Sequence, residues 1–393
     1  LNKMQKNHEP YTSLPVLNSR HRSGTNIYIH SNTFKMKNRI TGFDLARAYA
    51  IFGMFIVNFN TVFGSHTNQS GLSGFLNLFN GNSSTLFVML AGMGVSLMTN
   101  RTEYTPEEKR RMKSIITKRS WFLFVLGMIF YLWWPADILH FYGGYMHIAV
   151  LLVFVPKQYL LYAAAAAIVI FHILLAVIPY NTGWNFETLM YSDFWTVPGF
   201  LRNTFYNGWN SIFPWIAYFF TGMYLGRLNW NNNKTPGRIL VLGLTVYSIT
   251  FLIQSFAGSI TKDKELLFYL TADYIPPFLP FMLGTTSFGL ILISSFIFIG
   301  NKISGTKIAG ILALTGQMTL THYISHLLFG LIFLSLLTGK TLGYDLLKQT
   351  PTDPIIILTF SVVYFLLSCL FSYLWAIKFK NGPLEMFMRK ISG

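Results

Sequence analysis

The sequence predicts an all-α integral membrane protein that crosses the bilayer about ten times. Of its 393 residues, 52% are hydrophobic and only 11% are charged, whereas soluble globular domains carry about 25% charged residues. The mean hydropathy is +0.43, and the apolar residues are gathered in runs of the roughly 20 residues that a helix needs to cross a bilayer. A soluble domain is therefore excluded. A disulfide-bonded scaffold is excluded as well, because the single cysteine, Cys369, lies in an apolar run.

Ten apolar runs predict the spanning helices. The second run is short, and the ninth is long and interrupted by Gly310 and Gly316, which predicts a kink or a short re-entrant piece. In chain order the predicted helices are Phe43–Phe63, Ser84–Met98, Ile115–Trp134, Ile138–Val155, Tyr159–Ile178, Trp209–Leu228, Ile239–Phe256, Phe278–Ile299, Ile308–Leu337 and Pro354–Ile377.

The basic residues predict the orientation of these helices. Alternate connectors carry 20 and five Lys and Arg residues, respectively, and the richer set marks the cytoplasmic side. An even number of helices then places both termini in the cytoplasm. The net charge of +16 is spread over these short connectors, which favours a topological signal over a nucleic-acid-binding surface.

Two segments outside the helices have open interpretations. Residues 1–36 are polar and lack the apolar core of a signal peptide, so we expect a disordered tail or upstream translated sequence before a single transmembrane domain, 37–393. The outer connector at about 179–208 is rich in Trp, Tyr, Asn and Thr. It is expected either to cap an outward-facing pocket or to rest at the level of the lipid headgroups.

Helix 1 carries the first polar stripe. Asp44, Arg47 and Asn58 share one face at 100° per residue, Asn60 points the other way, and His66 follows the outer end of the helix. Ionisable groups inside a span indicate a functional site. The alternative is that Asp44 and Arg47 form an i,i+3 ion pair at the membrane edge.

Helices 4 and 9 carry two further stripes. In helix 4, Asp137 and His140 are one turn apart, so the carboxylate either orients the imidazole for chemistry or forms a structural pair with it. In helix 9, His322 and His326 are spaced i,i+4, but the stretch lacks the Glu of a zincin motif. We therefore expect no metal, and helix–helix hydrogen bonding is the alternative to a functional role.

Several segments carry a family resemblance. The run Arg39–Asn58 resembles the opening of the YeiB-like membrane proteins, domain-of-unknown-function family 418, and the first helix of the heparan-α-glucosaminide N-acetyltransferases. The resemblance extends from about Lys37 to the end of the chain. Further matching segments are Thr85–Leu97, Asp137–Gly143, Ile212–Trp215, Thr221–Arg227, Thr315–Tyr323 and Gly382–Arg389.

The resemblance implies a transmembrane acyltransferase in a bacterial cytoplasmic membrane. It implies acetyl-CoA or another acyl-CoA as cytosolic co-substrate, and Asn58 and His66 as the catalytic pair. The chain departs from the family pattern at Arg47-Ala48, where Arg-Gly is usual, and at Thr321-His322-Tyr323, where Thr-Asn-Tyr is usual. The expected partners are membrane lipid, acyl-CoA and an unidentified extracytoplasmic acceptor, without nucleic acid; the sequence leaves a homodimer open.

The polar stripes and the family resemblance together give one leading hypothesis. Asn58 donates to the thioester oxyanion, His66 acts as general base, and Arg47 holds a phosphate of CoA. The substrate path is expected to include Asp44, Arg47, Asp137, His140, His322 and His326. The alternatives are a transporter or flippase, whose path the same polar groups would mark, and a non-catalytic membrane component.

Overall fold

The computed structural model describes residues 40–65, 70–101, 103–232, 234–271, 273–342 and 350–393. The predicted tail, 1–36, and the candidate base His66 lie outside these residues. The helices in chain order are α1 (Thr41–Phe63), α2 (Gly71–Asn77), α3 (Asn82–Met98), α4 (Pro106–Tyr131), α5 (Leu139–Leu152), α6 (Lys157–Val177), α7 (Val197–Arg202), α8 (Ile212–Gly226), α9 (Lys234–Ser255), α10 (Ala257–Ile260), α11 (Lys264–Thr271), α12 (Leu279–Ile303), α13 (Lys307–Gln317), α14 (Thr319–Ser325), α15 (Leu331–Thr338), α16 (Pro354–Lys378) and α17 (Pro383–Ser392).

Two π-helical turns and one short hairpin complete the secondary structure of the described residues. The π-helical turns are Asn203–Asn207 and His326–Gly330. The antiparallel hairpin pairs β1 (Trp184–Asn185) with β2 (Met190–Tyr191). Helices dominate because a chain in hydrocarbon must satisfy its backbone polar groups internally.

The prediction of an all-α membrane protein is confirmed. Within the described residues, eight helical segments are long and apolar enough to cross a membrane: α1, α2 with α3, α4, α6, α9, α12, α14 with α15, and α16. The fourth and sixth predicted spans correspond to α5 and α8, which have 14 and 15 residues and lie largely buried in the bundle. The count of ten crossings and the side on which the termini lie stay predictions.

The interrupted ninth run contains a true break. α13 ends at Gln317, and Met318 has φ −103° and ψ 37°, outside the helical region, before α14 begins at Thr319. The segment of spanning length is Thr319–Thr338. The structure therefore has a short separate helix that precedes the span, rather than one long helix with a kink.

Close helix crossings are made possible by glycine. Where α3 crosses α8, a Cβ atom on Gly92 would lie 2.1 Å from the carbonyl oxygen of Phe219, and one on Gly222 would lie 2.0 Å from that of Met89. Small residues at such crossings let two backbones approach closely, which is how helices associate in lipid.

Contacts also link the elements at one end of the bundle, which we call the basic end. A Cβ atom on Gly316, at the end of α13, would lie 2.1 Å from the carbonyl oxygen of Asp44, at the start of α1. Arg119 of α4 donates from Nε to Ser392 of α17 at 3.2 Å. This end also carries the basic side chains of Arg47 in α1, which pairs with Asp44, and of Arg389 in α17, which lies near Arg119.

The outer connector is folded. Nη2 of Arg202 donates to both carboxylate oxygens of Asp193, at 2.7 and 2.6 Å, while its Nε donates to the Tyr191 hydroxyl at 2.7 Å. Tyr191 in turn donates to Oδ1 of Asn207 at 2.7 Å. Burial raises the pKa of Tyr191, so the phenol keeps its proton and remains a donor.

We expect Gly222→Ala to lower the thermal unfolding midpoint of the purified protein in detergent. Its methyl group meets backbone that cannot move aside, and such overpacking costs about 1–3 kcal/mol. Gly310→Ala is the matched control, because no atom lies within 4 Å of its Cβ position in α13. Equal midpoints for the two variants would contradict the packing assignment.

Candidate active site: a buried polar centre

Asn58 of α1 meets His326 in the interior of the bundle. Nδ2 of Asn58 lies 3.0 Å from Nε2 of His326 and donates at 3.0 Å to the carbonyl oxygen of Met54. Asn58 is 7% exposed and His326 is fully buried. Two residues from separate predicted stripes, 268 positions apart in sequence, therefore form one contact.

The hydrogen bonds fix the tautomer of His326. Its Nδ1 lies 3.3 Å from the carbonyl oxygen of His322, and a carbonyl oxygen only accepts, so Nδ1 carries the proton. Nε2 is then the acceptor for the amide of Asn58. The rings of Phe55 and Phe59 pack on the imidazole, with centroids 5.1 and 6.1 Å away, and shield it from lipid.

Asp137 forms the second part of the site, at the start of α5. Its Oδ1 accepts from the hydroxyl of Tyr323 at 3.1 Å, and its Oδ2 accepts from the backbone N–H groups of Leu139 at 2.8 Å and His140 at 3.3 Å. An anion is stabilised at the N-terminus of a helix by these otherwise unbonded N–H groups. The carboxylate is fully buried, yet it has donors on both oxygens.

His140 lies beside this carboxylate without a good hydrogen bond to it. Nδ1 of His140 is 3.5 Å from Oδ2 of Asp137. Within the described residues neither ring nitrogen has a hydrogen-bond partner. The imidazole packs on Phe141, with ring centroids 3.8 Å apart, so the predicted Asp137–His140 pair is close in space but leaves the imidazole nitrogens available.

Helix α14 connects the Asn58–His326 contact to the surroundings of Asp137. Tyr323 and His326 are three residues apart, and their ring centroids are 5.3 Å apart. We call Asn58, Asp137, His140, Tyr323 and His326 the polar centre. It combines an amide, a carboxylate, a phenol and two imidazoles from α1, the start of α5, and α14 with the π-helical turn that follows it. π-Helical turns are frequent at functional sites.

A cavity of about 200 Å³ lies next to the polar centre, at the end of the bundle away from the basic end. Its walls include Thr61 and Val62, one turn beyond Asn58, and Ala136, the neighbour of Asp137. Leu189 of the outer connector also lines it and has a φ of 55°, a left-handed conformation that costs roughly 1–2 kcal/mol outside glycine. Residues 188–190 of the connector therefore line this cavity, and whether it faces outward stays a prediction.

Tryptophans supply much of the cavity wall. Trp133, Trp134 and Trp209 line it, and Nε1 of Trp133 donates to the carbonyl oxygen of Leu327 at 3.2 Å. Nε1 of Trp134 is buried without a partner in the part of the chain that the structure describes. The cavity therefore has a mainly apolar wall.

The remaining predicted residues lie apart from the polar centre. Nη1 of Arg47 bonds Oδ1 of Asp44 at 2.8 Å, which is the i,i+3 ion pair of the structural alternative. Nε2 of His322 lies 2.7 Å from the hydroxyl of Ser372 in α16, so this imidazole faces a different neighbour. No group of three or more His, Cys, Asp or Glu residues that could hold a metal occurs among the described residues.

Tyr323 is the member of the centre that sequence reasoning left out of the site. The resemblance segment Thr315–Tyr323 includes it, but tyrosine is common in apolar spans and its spacing gave no signal. Its role follows from α14 lying against the start of α5, where its hydroxyl also accepts from the backbone N–H of Ile138 at 3.3 Å.

Two family models match the chain. The model described as the catalytic part of heparan-alpha-glucosaminide N-acetyltransferase matches residues 39–252, and the model described as a protein of unknown function, DUF418, matches residues 225–393. A search of curated proteins finds no match. Asn58, Asp137 and His140 lie in the first matched region, whereas Tyr323 and His326 lie in the second, so the polar centre is assembled from both.

We expect Tyr323→Phe to destabilise the protein by about 1–3 kcal/mol, because it removes a donor from a buried carboxylate. The measurement is the thermal midpoint in detergent, and Tyr373→Phe on the exposed side of α16 is the control. In the background of Asp137→Asn the cost should shrink, since the two side chains are coupled. Strictly additive losses would contradict a direct Tyr323–Asp137 bond.

Proposed function

This chain belongs to the heparan-α-glucosaminide N-acetyltransferase catalytic family, and we propose that it is a membrane-embedded acyltransferase. It moves an acyl group, with acetyl as the first candidate, from cytosolic acyl-CoA to an extracytoplasmic glycan, lipid or small-molecule acceptor. The observation that carries this proposal is the Asn58–His326 contact of 3.0 Å, buried beside a cavity within a chain of this family.

Asn58 serves as the donor to the thioester carbonyl oxygen. Both hydrogens of its amide are used in the structure, one by Met54 and one by His326. The substrate oxygen therefore replaces Nε2 of His326 as the acceptor of one of them. A positioned N–H donor stabilises the charge that develops on this oxygen when the acceptor attacks the carbonyl carbon.

Two imidazoles are candidates for the general base. The family resemblance implies His66, which lies outside the described residues. The geometry supports His326, because release of the Asn58 hydrogen bond frees the lone pair on Nε2. In either case the base takes the proton from the acceptor hydroxyl or amine, the acceptor bonds to the acyl carbon, the carbon–sulfur bond breaks, and the thiolate of CoA leaves and is protonated.

Arg47 binds the donor from the basic end. Eleven residues of helix separate it from Asn58, or about 16 Å along the axis, a distance that the flexible arm between the phosphates and the sulfur of CoA can bridge. Its side chain is 21% exposed and paired with Asp44. The guanidinium presents several N–H donors, so it can keep this pair and bind a phosphate.

The cavity holds the acceptor. Its wall reaches the neighbours of Asn58 and Asp137, so a hydroxyl or amine placed there is close to the polar centre. The indole side chains of Trp133, Trp134 and Trp209 line the cavity and exclude water from the thioester.

A transporter is the second candidate, because the buried ionisable side chains of Asp137 and His326 are also of the kind that mark a substrate path through a helix bundle. Flux of a solute across sealed vesicles in the absence of acyl-CoA would support this alternative against acyl transfer.

We expect purified protein to release free thiol slowly from acetyl-CoA and Asn58→Ala to reduce this rate by about 10²–10³-fold, the usual effect of losing an oxyanion donor. Asn60→Ala is the matched control, because Asn60 lies two residues further along α1 and bonds Asn77 instead, at 2.9 Å. Arg47→Ala should weaken acetyl-CoA binding. A wild-type rate in Asn58→Ala would contradict the proposal.

A second comparison assigns the base. We expect either His66→Ala or His326→Ala, but not both, to lower the pH-dependent rate by about 10²–10⁴-fold. His172→Ala is the control, because this imidazole lies 3.0 Å from the hydroxyl of Tyr269 and does not belong to the polar centre. If both candidates keep the wild-type rate, general-base catalysis by either imidazole is excluded.

A further inference from the structure

The C-terminal helix α17 places a buried carboxylate against the break in the ninth run. Arg389 and Lys390 of α17 are exposed, whereas Glu385 is only 8% exposed. It belongs to the segment Gly382–Arg389, which the sequence singled out and for which the proposed chemistry has no use. The hydrogen bonds of this carboxylate explain why it is buried.

Glu385 bonds the first turn of α14. Its Oε1 accepts from the backbone N–H groups of Leu320 at 2.7 Å and Thr321 at 3.1 Å. Its Oε2 accepts from the hydroxyl of Thr321 at 2.6 Å. Oγ1 of Thr321 also accepts from the backbone N–H of Leu384 at 3.2 Å, so α17 and α14 are joined by four hydrogen bonds.

These hydrogen bonds satisfy N–H groups that the break at Met318 leaves without a partner. The first N–H groups of a helix have no partner within it, and a buried N–H group that stays unbonded destabilises the fold. A carboxylate at a helix N-terminus also interacts favourably with the helix dipole. Glu385 therefore fixes where α14 begins and how it is rotated about its axis.

The rotation of α14 determines the polar centre. Tyr323 follows Thr321 by two residues and His326 follows it by five, so a turn of the helix about its axis moves both side chains. We propose that Glu385 is a positioning residue, which acts through α14 to hold Tyr323 on Asp137 and His326 on Asn58. The proposal rests on the proposed function, because it assigns Glu385 to the same reaction.

A second attachment of α17 provides a control. Ser392 accepts from Nε of Arg119 at 3.2 Å, and Phe387 packs on Phe122 with ring centroids 5.8 Å apart. These contacts hold α17 on α4 without touching α14. Loss of the Glu385 contacts should therefore disturb α14 while α17 stays docked, and loss of the Ser392 contact should leave α14 in place.

The test compares Glu385→Ala, Glu385→Gln and Ser392→Ala in the full chain, purified in detergent. Backbone amide hydrogen exchange over 319–330 and thiol release from acetyl-CoA are measured for each. We expect Glu385→Ala to increase exchange in this segment alone and to lower kcat by about 10²-fold, the effect of a 1 Å misplacement, with KM for acetyl-CoA unchanged. Glu385→Gln keeps an acceptor oxygen for the two backbone N–H groups, so it should recover most of the protection from exchange and most of kcat. Ser392→Ala should resemble the wild type in both measurements.

The outcomes separate the two proposals. Wild-type exchange and kcat in Glu385→Ala would overturn the positioning role, and so would increased exchange throughout the chain, which indicates a general loss of folding. If Glu385→Ala does not fold, a Glu385→Gln protein with wild-type exchange but no recovered activity overturns it as well. A wild-type protein that releases no thiol contradicts the proposed function, whereas exchange over 319–330 still decides whether Glu385 holds this segment.

Discussion

The first N–H groups of a helix have no partner within it, so the start of α14 at Thr319 leaves amide hydrogens that another part of the protein must bond. Oε1 of Glu385, 65 residues further along the chain than Leu320, accepts from two of these N–H groups. The position of α14 depends on these hydrogen bonds, and the positions of Tyr323 and His326 depend on the position of α14. The same principle operates at the start of α5, where Asp137 accepts from two backbone N–H groups.

Two buried carboxylates at two helix starts therefore organise the interior. Each is held by backbone N–H groups and by a hydroxyl, from Tyr323 in one case and Thr321 in the other. A buried charge without such donors is costly, so the donors and the carboxylates stabilise one another. Because Tyr323 and Thr321 are both in α14, this short helix connects the basic end of the bundle to the polar centre.

The polar centre joins the two regions that the family models match separately. Its amide and carboxylate come from the first region and its phenol and second imidazole from the second. Neither region holds the full set of groups alone. The cavity is lined by Val62 and Ala136, which neighbour these groups in the chain, and by residues of the connector. The proposed acyl transfer uses groups from both parts of the chain.

The sequence by itself determined the class of protein, the approximate limits of its helices and the polar residues that deserved attention. These follow from composition, from the length of apolar runs and from helical periodicity, which are local properties. Periodicity also placed Asp44 beside Arg47 and Asp137 beside His140, since those pairs are separated by a single turn. His66, whose role follows only from family resemblance, lies outside the described residues.

Only the tertiary structure decided which polar residues meet. Asn58 and His326 are 268 positions apart, and helical periodicity gives the face of each side chain but not the helix that the face touches. His322 and His326 looked equivalent on one stripe, yet His322 contacts Ser372 of α16 and His326 contacts Asn58 of α1, because different helices pack against the two side chains. Helix packing in a membrane depends on close approach at small residues and on satisfied backbone groups, and these are properties of the assembled bundle rather than of any one run of sequence.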